Sequence, residues 1–199
     1  GWLVELNADA FPRLTVNASY VDLASQVSDS EQTKKIKEQL IEAKGLIKSI
    51  HSRGETLLKV ATFIVERQHA FFEEGDLAMQ PLVLRDVAEH LGLHESTISR
   101  ATNQKYMQTP RGTLELKYFF SSGVSQYGSA DQSATSIKAH IKALVDKEDP
   151  KKPLSDSKLM DLLEQDKEIS VARRTIAKYR EALGIPSSSE RKKRNKFKL

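Results

Sequence analysis

The sequence contains no cysteine, so it can form neither a disulfide framework nor a zinc site with cysteine ligands. It also has no run approaching the ~18 consecutive apolar residues that a bilayer crossing requires. Residues 1–16 include Glu5, Asp9 and Pro12 and lack the basic start of a signal peptide. These absences fit a protein of a reducing cytoplasm with no membrane partner.

Signatures of catalysis are missing as well. The sequence has no cluster of metal-ligand carboxylates, no Ser/His/Asp set and no glycine-rich phosphate loop. His90 and His94 flank a turn, but two histidines without cysteine or carboxylate company are weak evidence for a metal. We therefore expect a protein that is not an enzyme and that needs no cofactor or metal.

The net charge of +4 is unevenly distributed over the 199 residues. Residues 172–199 contain ten lysines and arginines against two acidic residues, so this end carries +8 and the rest of the chain −4. A cationic end on a mildly acidic chain favours a polyanion-binding function. For residues 191–198 a solvated basic tail is an equally good explanation, but it does not cover the basic residues upstream.

Amphipathic periodicity dominates the first third of the chain. It predicts one helix from a serine cap, Ser28 or Ser30, to a break at Gly54. It predicts a second helix over residues 55–74, with Gly75 as its C-cap.

The remaining segments complete an all-α prediction, with several small helical modules joined by linkers. Residues 109–112 are predicted to be a turn and residues 121–133, rich in serine and glycine, a loop or linker. A helix is predicted over about 133–148. Only residues 2–6 and 13–16 look extended.

Residues 84–103 meet the positional requirements of a helix-turn-helix. Ala88 is small enough to let the second helix approach, and Gly92 supplies the positive φ of the turn. Arg100 is expected to read a base, because a guanidinium can bind guanine O6 and N7 together. An ordinary helical hairpin with a glycine turn is the alternative. The exposed face of the second helix is polar and consists of Glu95, Ser96, Thr97, Ser99, Arg100 and Asn103.

A second helical pair is predicted from Ser155 onward. Its last helix is expected to be capped by Ser170 and stopped by Gly184. Arg174 and Lys178 are four residues apart, so they project together and repel each other by a few tenths of a kcal/mol. A bound polyanion would compensate this repulsion, and a solvated basic helix is the alternative. The apolar stripe of the same helix is Ala172, Ile176, Tyr179 and Leu183.

The ten residues 172–181 read Ala-Arg-Arg-Thr-Ile-Ala-Lys-Tyr-Arg-Glu and resemble the RpoN box of bacterial sigma-54 transcription factors. Ile176 stands where the family pattern has valine. The resemblance extends over essentially the whole chain and includes residues 93–100, 109–112, 117–121 and 153–156.

The resemblance implies a transcription initiation factor that directs core RNA polymerase to promoters with elements near −24 and −12. The RpoN-box helix would read the −24 element in the major groove, with Arg174 and Lys178 at positions implicated in base contact. The helix-turn-helix at 84–103 would work at the −12 element, where the melted duplex begins, with Arg100 at its key position. The implied −24 contacts are Arg173, Arg174, Thr175, Lys178, Tyr179 and Arg180.

The resemblance also implies a division of the chain into four segments. These are part of the core-polymerase-binding region (1–75), the −12 module (76–120), a linker with a connecting helix (121–150) and the −24 domain (151–199). The expected partners are double-stranded promoter DNA and core RNA polymerase.

The family's glutamine-rich N-terminal segment, which contacts an ATP-driven AAA+ activator, has no counterpart in this sequence. We therefore expect a C-terminal fragment that is complete for DNA recognition, partial for polymerase binding and unable to respond to an activator. The alternative from another class is a helix-turn-helix repressor that does not bind polymerase.

Overall fold

The computed structural model describes residues 1–26, 31–124 and 132–196, and these are mostly helical. This confirms a predominantly helical chain. In chain order the helices of the described residues are α1 (Ala18–Gln26), α2 (Glu31–Arg67), α3 (His69–Glu74), α4 (Leu84–Leu91), α5 (Glu95–Thr102), α6 (Ala134–Asp146), α7 (Asp156–Lys167), α8 (Arg173–Ala182) and α9 (Ser188–Lys196).

Helix α2 is continuous over 37 residues, about 55 Å at ~1.5 Å per residue. The predicted break at Gly54 is therefore wrong. Gly54 lies within the helix and is buried. A Cβ placed on it would lie 3.4 Å from Leu6 Cδ1 and 3.5 Å from Phe11 Cε1. The glycine lets the N-terminal segment lie close against α2. It marks a packing contact and not the end of a helix.

The first two dozen residues include the segments 2–6 and 13–16 that look extended in the sequence. Within the described residues they contain no strand but a short 3-10 helix at Ala8–Ala10 and then α1, which packs on α2. The predicted caps Ser28 and Ser30 lie outside the described residues.

A buried glutamine separates α2 from α3. The side chain of Gln68 donates to the carbonyls of Gln80 and Phe119 at 2.9 and 3.2 Å, and its Oε1 accepts from the Gln80 backbone N–H at 2.8 Å. Helix α3 then ends where predicted, at Gly75, whose φ is +85°. These bonds fix the chain reversal that leads into α4.

Two small antiparallel sheets modify the all-α prediction. Strands β1 (Tyr106–Thr109) and β2 (Gly112–Glu115) form a hairpin in which Met107 is paired with Leu114. The predicted turn at 109–112 is thus the tip of a hairpin. Strands β3 (Gly123–Val124) and β4 (Gln132–Ser133) form the second pair.

Two hydrophobic clusters make up the core of the described residues. The first joins α2, α3, α4, α5 and the segment after the hairpin, and it includes Val60, Ile64, Val87, Ile98 and Phe119. The second joins α6, α7 and α8 and comprises Ile137, Ile141, Leu159, Leu163, Ile169, Val171 and Ile176.

Helix α6 lies where the periodicity predicts it and connects the two clusters. Its N-cap Ser133 accepts a hydrogen bond from the Ser136 backbone N–H at 3.0 Å. The Ser136 hydroxyl donates to the Leu77 carbonyl at 2.6 Å, while Ile137 and Ile141 are fully buried in the second cluster. In the described part of the chain, no helix is long and apolar enough to cross a membrane.

Candidate nucleic-acid interface

Helices α4 and α5 meet through a three-residue turn. Gly92 has φ +65° in the left-handed region, and the Leu93 N–H donates to the Ala88 carbonyl at 2.9 Å. Val87 and Ile98 are fully buried between the helices, and Ala88 is 5% exposed. Burial of these residues turns the polar side of α5 outward.

The polar residues predicted for α5 lie on its accessible side. Glu95, Ser96 and Arg100 are exposed, and Asn103 follows the last turn. The Asn103 Oδ1 accepts a hydrogen bond from the Lys117 Nζ at 2.9 Å. Thr97 and Ser99 are half-buried at the edges of this face.

Helix α8 begins after a connection whose residues are packed inward. Glu168 has φ +54° and ends α7, and Ile169 and Val171 are buried in the second cluster. The N-cap of α8 is Ala172, which has no side-chain acceptor. The prediction that Ser170 caps this helix is therefore wrong, because the buried Val171 sets the start of the helix two residues later.

The outward face of α8 is strongly cationic. Arg173, Arg174 and Lys178 are exposed, and among the described residues none of them forms an ion pair with an acidic side chain. Arg174 and Lys178 are one helical turn apart and project together. This face offers three free positive charges to a polyanion.

Arg180, which the resemblance places among the −24 contacts, is buried against α7 and does not share the exposed face of Arg174 and Lys178. Its Nε and Nη2 donate to the two carboxylate oxygens of Asp156 at 2.7 and 3.2 Å, and its Nη1 donates to the Ile185 carbonyl at 2.7 Å. Its side chain is only 7% exposed. The hydrogen bonds to Asp156 raise the pKa of Arg180 against the opposing effect of burial. Arg180 thus fastens α8 to α7.

Thr175 and Tyr179 lie between the two sides of α8. Both are half-buried, and Lys138 Nζ lies 5.4 Å from the centre of the Tyr179 ring. Burial raises the pKa of Tyr179. Ile176 and Leu183 pack as predicted, whereas Ala172 is exposed because it precedes the helix.

The basic end of the chain contains a helix that the charge count did not predict. Helix α9 is held by Arg191, whose Nε and Nη2 donate to both carboxylate oxygens of Glu148 at 2.7 and 2.9 Å. Ser187 followed by Glu190 is a capping pattern that could have predicted this helix. The exposed cations of α9 are Lys192, Lys193, Arg194 and Lys196.

The site contains nothing that resembles a metal centre. Among the described residues, no group of three or more histidine and carboxylate side chains is arranged to hold an ion. The chemistry available on α5 and α8 is hydrogen bonding and positive charge.

A family model described as "Sigma-54, DNA binding domain" matches residues 33–193. The chain belongs to the sigma-54 family. The resemblance inferred from the RpoN box is thereby confirmed.

Sigma-54 relatives match nearly all of the chain. The RNA polymerase sigma-54 factor of Pseudomonas aeruginosa (strain UCBPP-PA14) is 58% identical over 192 residues, which are 96% of this chain. The protein of the same name from Escherichia coli (strain K12) is 52% identical over 191 residues. The chain spans 38% and 40% of the lengths of these two proteins.

A solved structure supports the same family. The crystal structure of Aquifex aeolicus sigmaN bound to promoter DNA is similar to this chain with a TM-score of 0.58 and 38% sequence identity. The match covers 92% of this chain and 54% of the Aquifex chain.

Proposed function

We propose that this chain is the promoter-recognition part of a sigma-54 transcription initiation factor, with two helix-turn-helix units that bind the −24 and −12 elements. The cationic face of α8 carries the proposal. Arg173, Arg174 and Lys178 stay exposed and unpaired among the described residues, while Arg180 of the same helix is buried in an ion pair. A helix whose buried side is held by an ion pair and whose exposed side is cationic suits the major groove of DNA.

In this proposal α8 reads the −24 element. Arg174 and Lys178 contact bases, because they project together from the first two turns of the helix. Arg173 and the α8 N-terminus, whose N-cap Ala172 has no side-chain acceptor, suit backbone phosphates. Thr175 and Tyr179 lie at the margins of the contact, and Arg180 positions the helix without touching DNA.

In the same proposal α5 works at the −12 element. Arg100 reads a base, and Glu95, Ser96 and Asn103 supply hydrogen-bonding groups around it. Thr97 and Ser99 contact the groove from the edges of the face. The turn through Gly92 supports this assignment because it directs the polar side of α5 away from the core.

The proposed division of labour follows the four segments 1–75, 76–120, 121–150 and 151–199. The first binds core RNA polymerase, as the name of the relatives suggests, and the second and last bind DNA. The segment 121–150 contains α6, which packs with α7 and α8 and thus connects the two DNA-binding units. In a bacterial cytoplasm such a protein places polymerase and catalyses nothing itself.

Arg174→Ala tests the −24 assignment. We expect a loss of about 1–3 kcal/mol in binding to a −24/−12 promoter duplex and a smaller preference over a duplex with a scrambled −24 element, as for a base-reading arginine. Fluorescence anisotropy at fixed salt measures both. Arg13→Ala, which removes an exposed arginine of the N-terminal segment, is the matched control. Equal weakening on both duplexes would make Arg174 a phosphate contact instead.

Binding of core RNA polymerase separates this proposal from a repressor. A gel-shift with promoter DNA, this chain and core polymerase should give a ternary complex. A complex of the chain with DNA alone, unaffected by polymerase, would favour the repressor. The names of the relatives favour the sigma factor.

A further inference from the structure

The β1–β2 hairpin is attached directly to the end of α5. The Lys105 backbone N–H donates to the Thr102 carbonyl at 3.3 Å, and the Leu116 N–H donates to the Lys105 carbonyl at 2.8 Å. The Lys117–Asn103 hydrogen bond adds a side-chain connection at 2.9 Å. The base of the hairpin therefore moves with α5.

The tip of the hairpin is fixed as well. Arg111, in the turn between the strands, donates from Nε to the Phe72 carbonyl at 3.1 Å and from Nη2 to the Glu73 carbonyl. Gly75 makes room for this guanidinium, because a Cβ there would lie 3.0 Å from Arg111 Nη1. The hairpin is thus held rigidly at both ends.

The two faces of the hairpin differ in composition. Met107 and its cross-strand partner Leu114 pack against the first hydrophobic cluster. Since side chains alternate along a strand, their neighbours face away from the core. The outward side chains are Tyr106, Gln108, Thr113 and Glu115.

Tyr106 is 67% exposed, more than any other aromatic residue that the structure describes. It lies four residues beyond Thr102, the last residue of α5. Exposed Lys105 precedes it in the sequence, and half-buried Glu115 lies across from it on β2. An exposed aromatic ring on a hairpin that is hydrogen-bonded to the end of α5 is suited to nucleic acid, because sugars and base faces pack well on aromatic rings.

We propose that this hairpin is a further DNA contact, in which the Tyr106 ring packs on a sugar or base next to the segment bound by α5. The inference rests on the proposed function, since α5 must lie on DNA to bring the hairpin there. It adds to that function a contact outside both recognition helices.

The full chain and a −24/−12 promoter duplex test this proposal by fluorescence anisotropy. Tyr106→Ala should weaken binding about tenfold, whereas Tyr106→Phe, which keeps the ring, should stay within about twofold of the original chain. Tyr20→Ala on α1 removes another exposed tyrosine, 55% exposed, and should leave binding unchanged. As a second measurement, a benzophenone amino acid at position 106 should crosslink to the promoter strand beside the −12 element, and at position 20 it should not.

Each other outcome overturns a defined part of the inference. Equal losses for Tyr106→Phe and Tyr106→Ala would place the contact on the hydroxyl and exclude packing of the ring. Unchanged binding of Tyr106→Ala together with weak binding of Arg100→Ala would exclude the hairpin and leave the proposed function intact. If the original chain did not prefer the promoter duplex over a scrambled one, the proposed function would fail and this contact with it.

Discussion

The guanidinium of Arg180 is bound by both carboxylate oxygens of Asp156, and that of Arg191 by both oxygens of Glu148. Both arginines are buried, at 5% and 8% exposure. A planar guanidinium bound in this two-point geometry fixes orientation as well as charge. The two pairs hold α8 and α9 in place and leave the neighbouring cations free to face solvent.

Removing the Arg180 side chain should destabilise the second cluster strongly. Arg180→Ala is expected to lower the free energy of unfolding by about 3 kcal/mol, because Asp156 loses its partner in a largely buried site. Denaturant unfolding followed by circular dichroism measures the change. Arg85→Ala, which removes a 70% exposed arginine paired with Glu89, should cost less than about 1 kcal/mol. A small effect of Arg180→Ala would mean that the pair is dispensable.

His140 on α6 should make stability depend on pH. Burial, and to a lesser degree the charge of Lys167, lowers the pKa of His140 below its usual 6.5. The unfolded chain therefore takes up a proton as the pH falls below 6.5, while the folded chain stays neutral at this position until lower pH. Stability from this group is fully present above pH 6.5 and is lost as the pH falls toward the lowered pKa.

Thermal unfolding of the original chain and of His140→Gln between pH 7.5 and 5 checks this dependence. The variant should lose less stability on acidification than the original chain does. Parallel profiles for the two proteins would show that other groups are responsible.

At the scale of elements, α2 shows how a glycine can serve packing in the middle of a helix. Gly54 faces Leu6 and Phe11 of the N-terminal segment at van der Waals distance, whereas Gly45 of the same helix has no atom within 4 Å of its Cβ position. The two glycines have the same helical setting and differ only in what lies opposite. They form a matched pair for mutation.

Gly54→Leu should displace the N-terminal segment from α2 without breaking the helix. The side chain would overlap Leu6 and Phe11, at a cost of about 1–3 kcal/mol if the segment stayed in place. Trp2 is the single tryptophan and lies 5.8 Å from the Phe72 ring, so its fluorescence should shift to longer wavelength when the segment is released. Gly45→Leu should leave the emission unchanged, and the same shift in both variants would contradict this explanation.

Turn chemistry made several elements predictable from local sequence alone. Gly75 and Gly92 end helices at the expected places, with φ of +85° and +65°, because few other residues adopt these angles. The sequence pattern does not predict the hairpin at 106–115. Its strands are short, and Met107 and Leu114 are its two inward-facing residues that pack on the core. Strand pairing of this kind depends on the core that receives it.

For the whole molecule, the charge of the C-terminal end divides into a buried anchor and an exposed surface. Arg191 lies inside against Glu148, whose side chain is 7% exposed, while Lys192 and Lys193 face outward. We therefore expect polyanion binding and folding to depend on different cations of the same helix.

Substitution of each group separates the two roles. Lys192→Ala with Lys193→Ala should reduce the slope of log affinity against log salt by about 1–2, since each phosphate contact contributes about 0.9. The midpoint of thermal unfolding should not change. Arg191→Ala should lower that midpoint, because the buried Glu148 carboxylate loses its positively charged partner. A salt slope unaffected by the double substitution would show that these lysines are solvated surface residues that do not contact phosphates.

The sequence by itself determined the family, the predominantly helical content and the cationic face of α8. Ten residues of the RpoN box and the glycines of the turns are local signals, and helical periodicity places Arg174 and Lys178 together whatever surrounds them. Only the tertiary structure decided that Arg180 and Arg191 belong inside, because their carboxylate partners are 24 and 43 residues away. An arginine fits a buried pair and a DNA contact equally well, and long-range packing decides between the two.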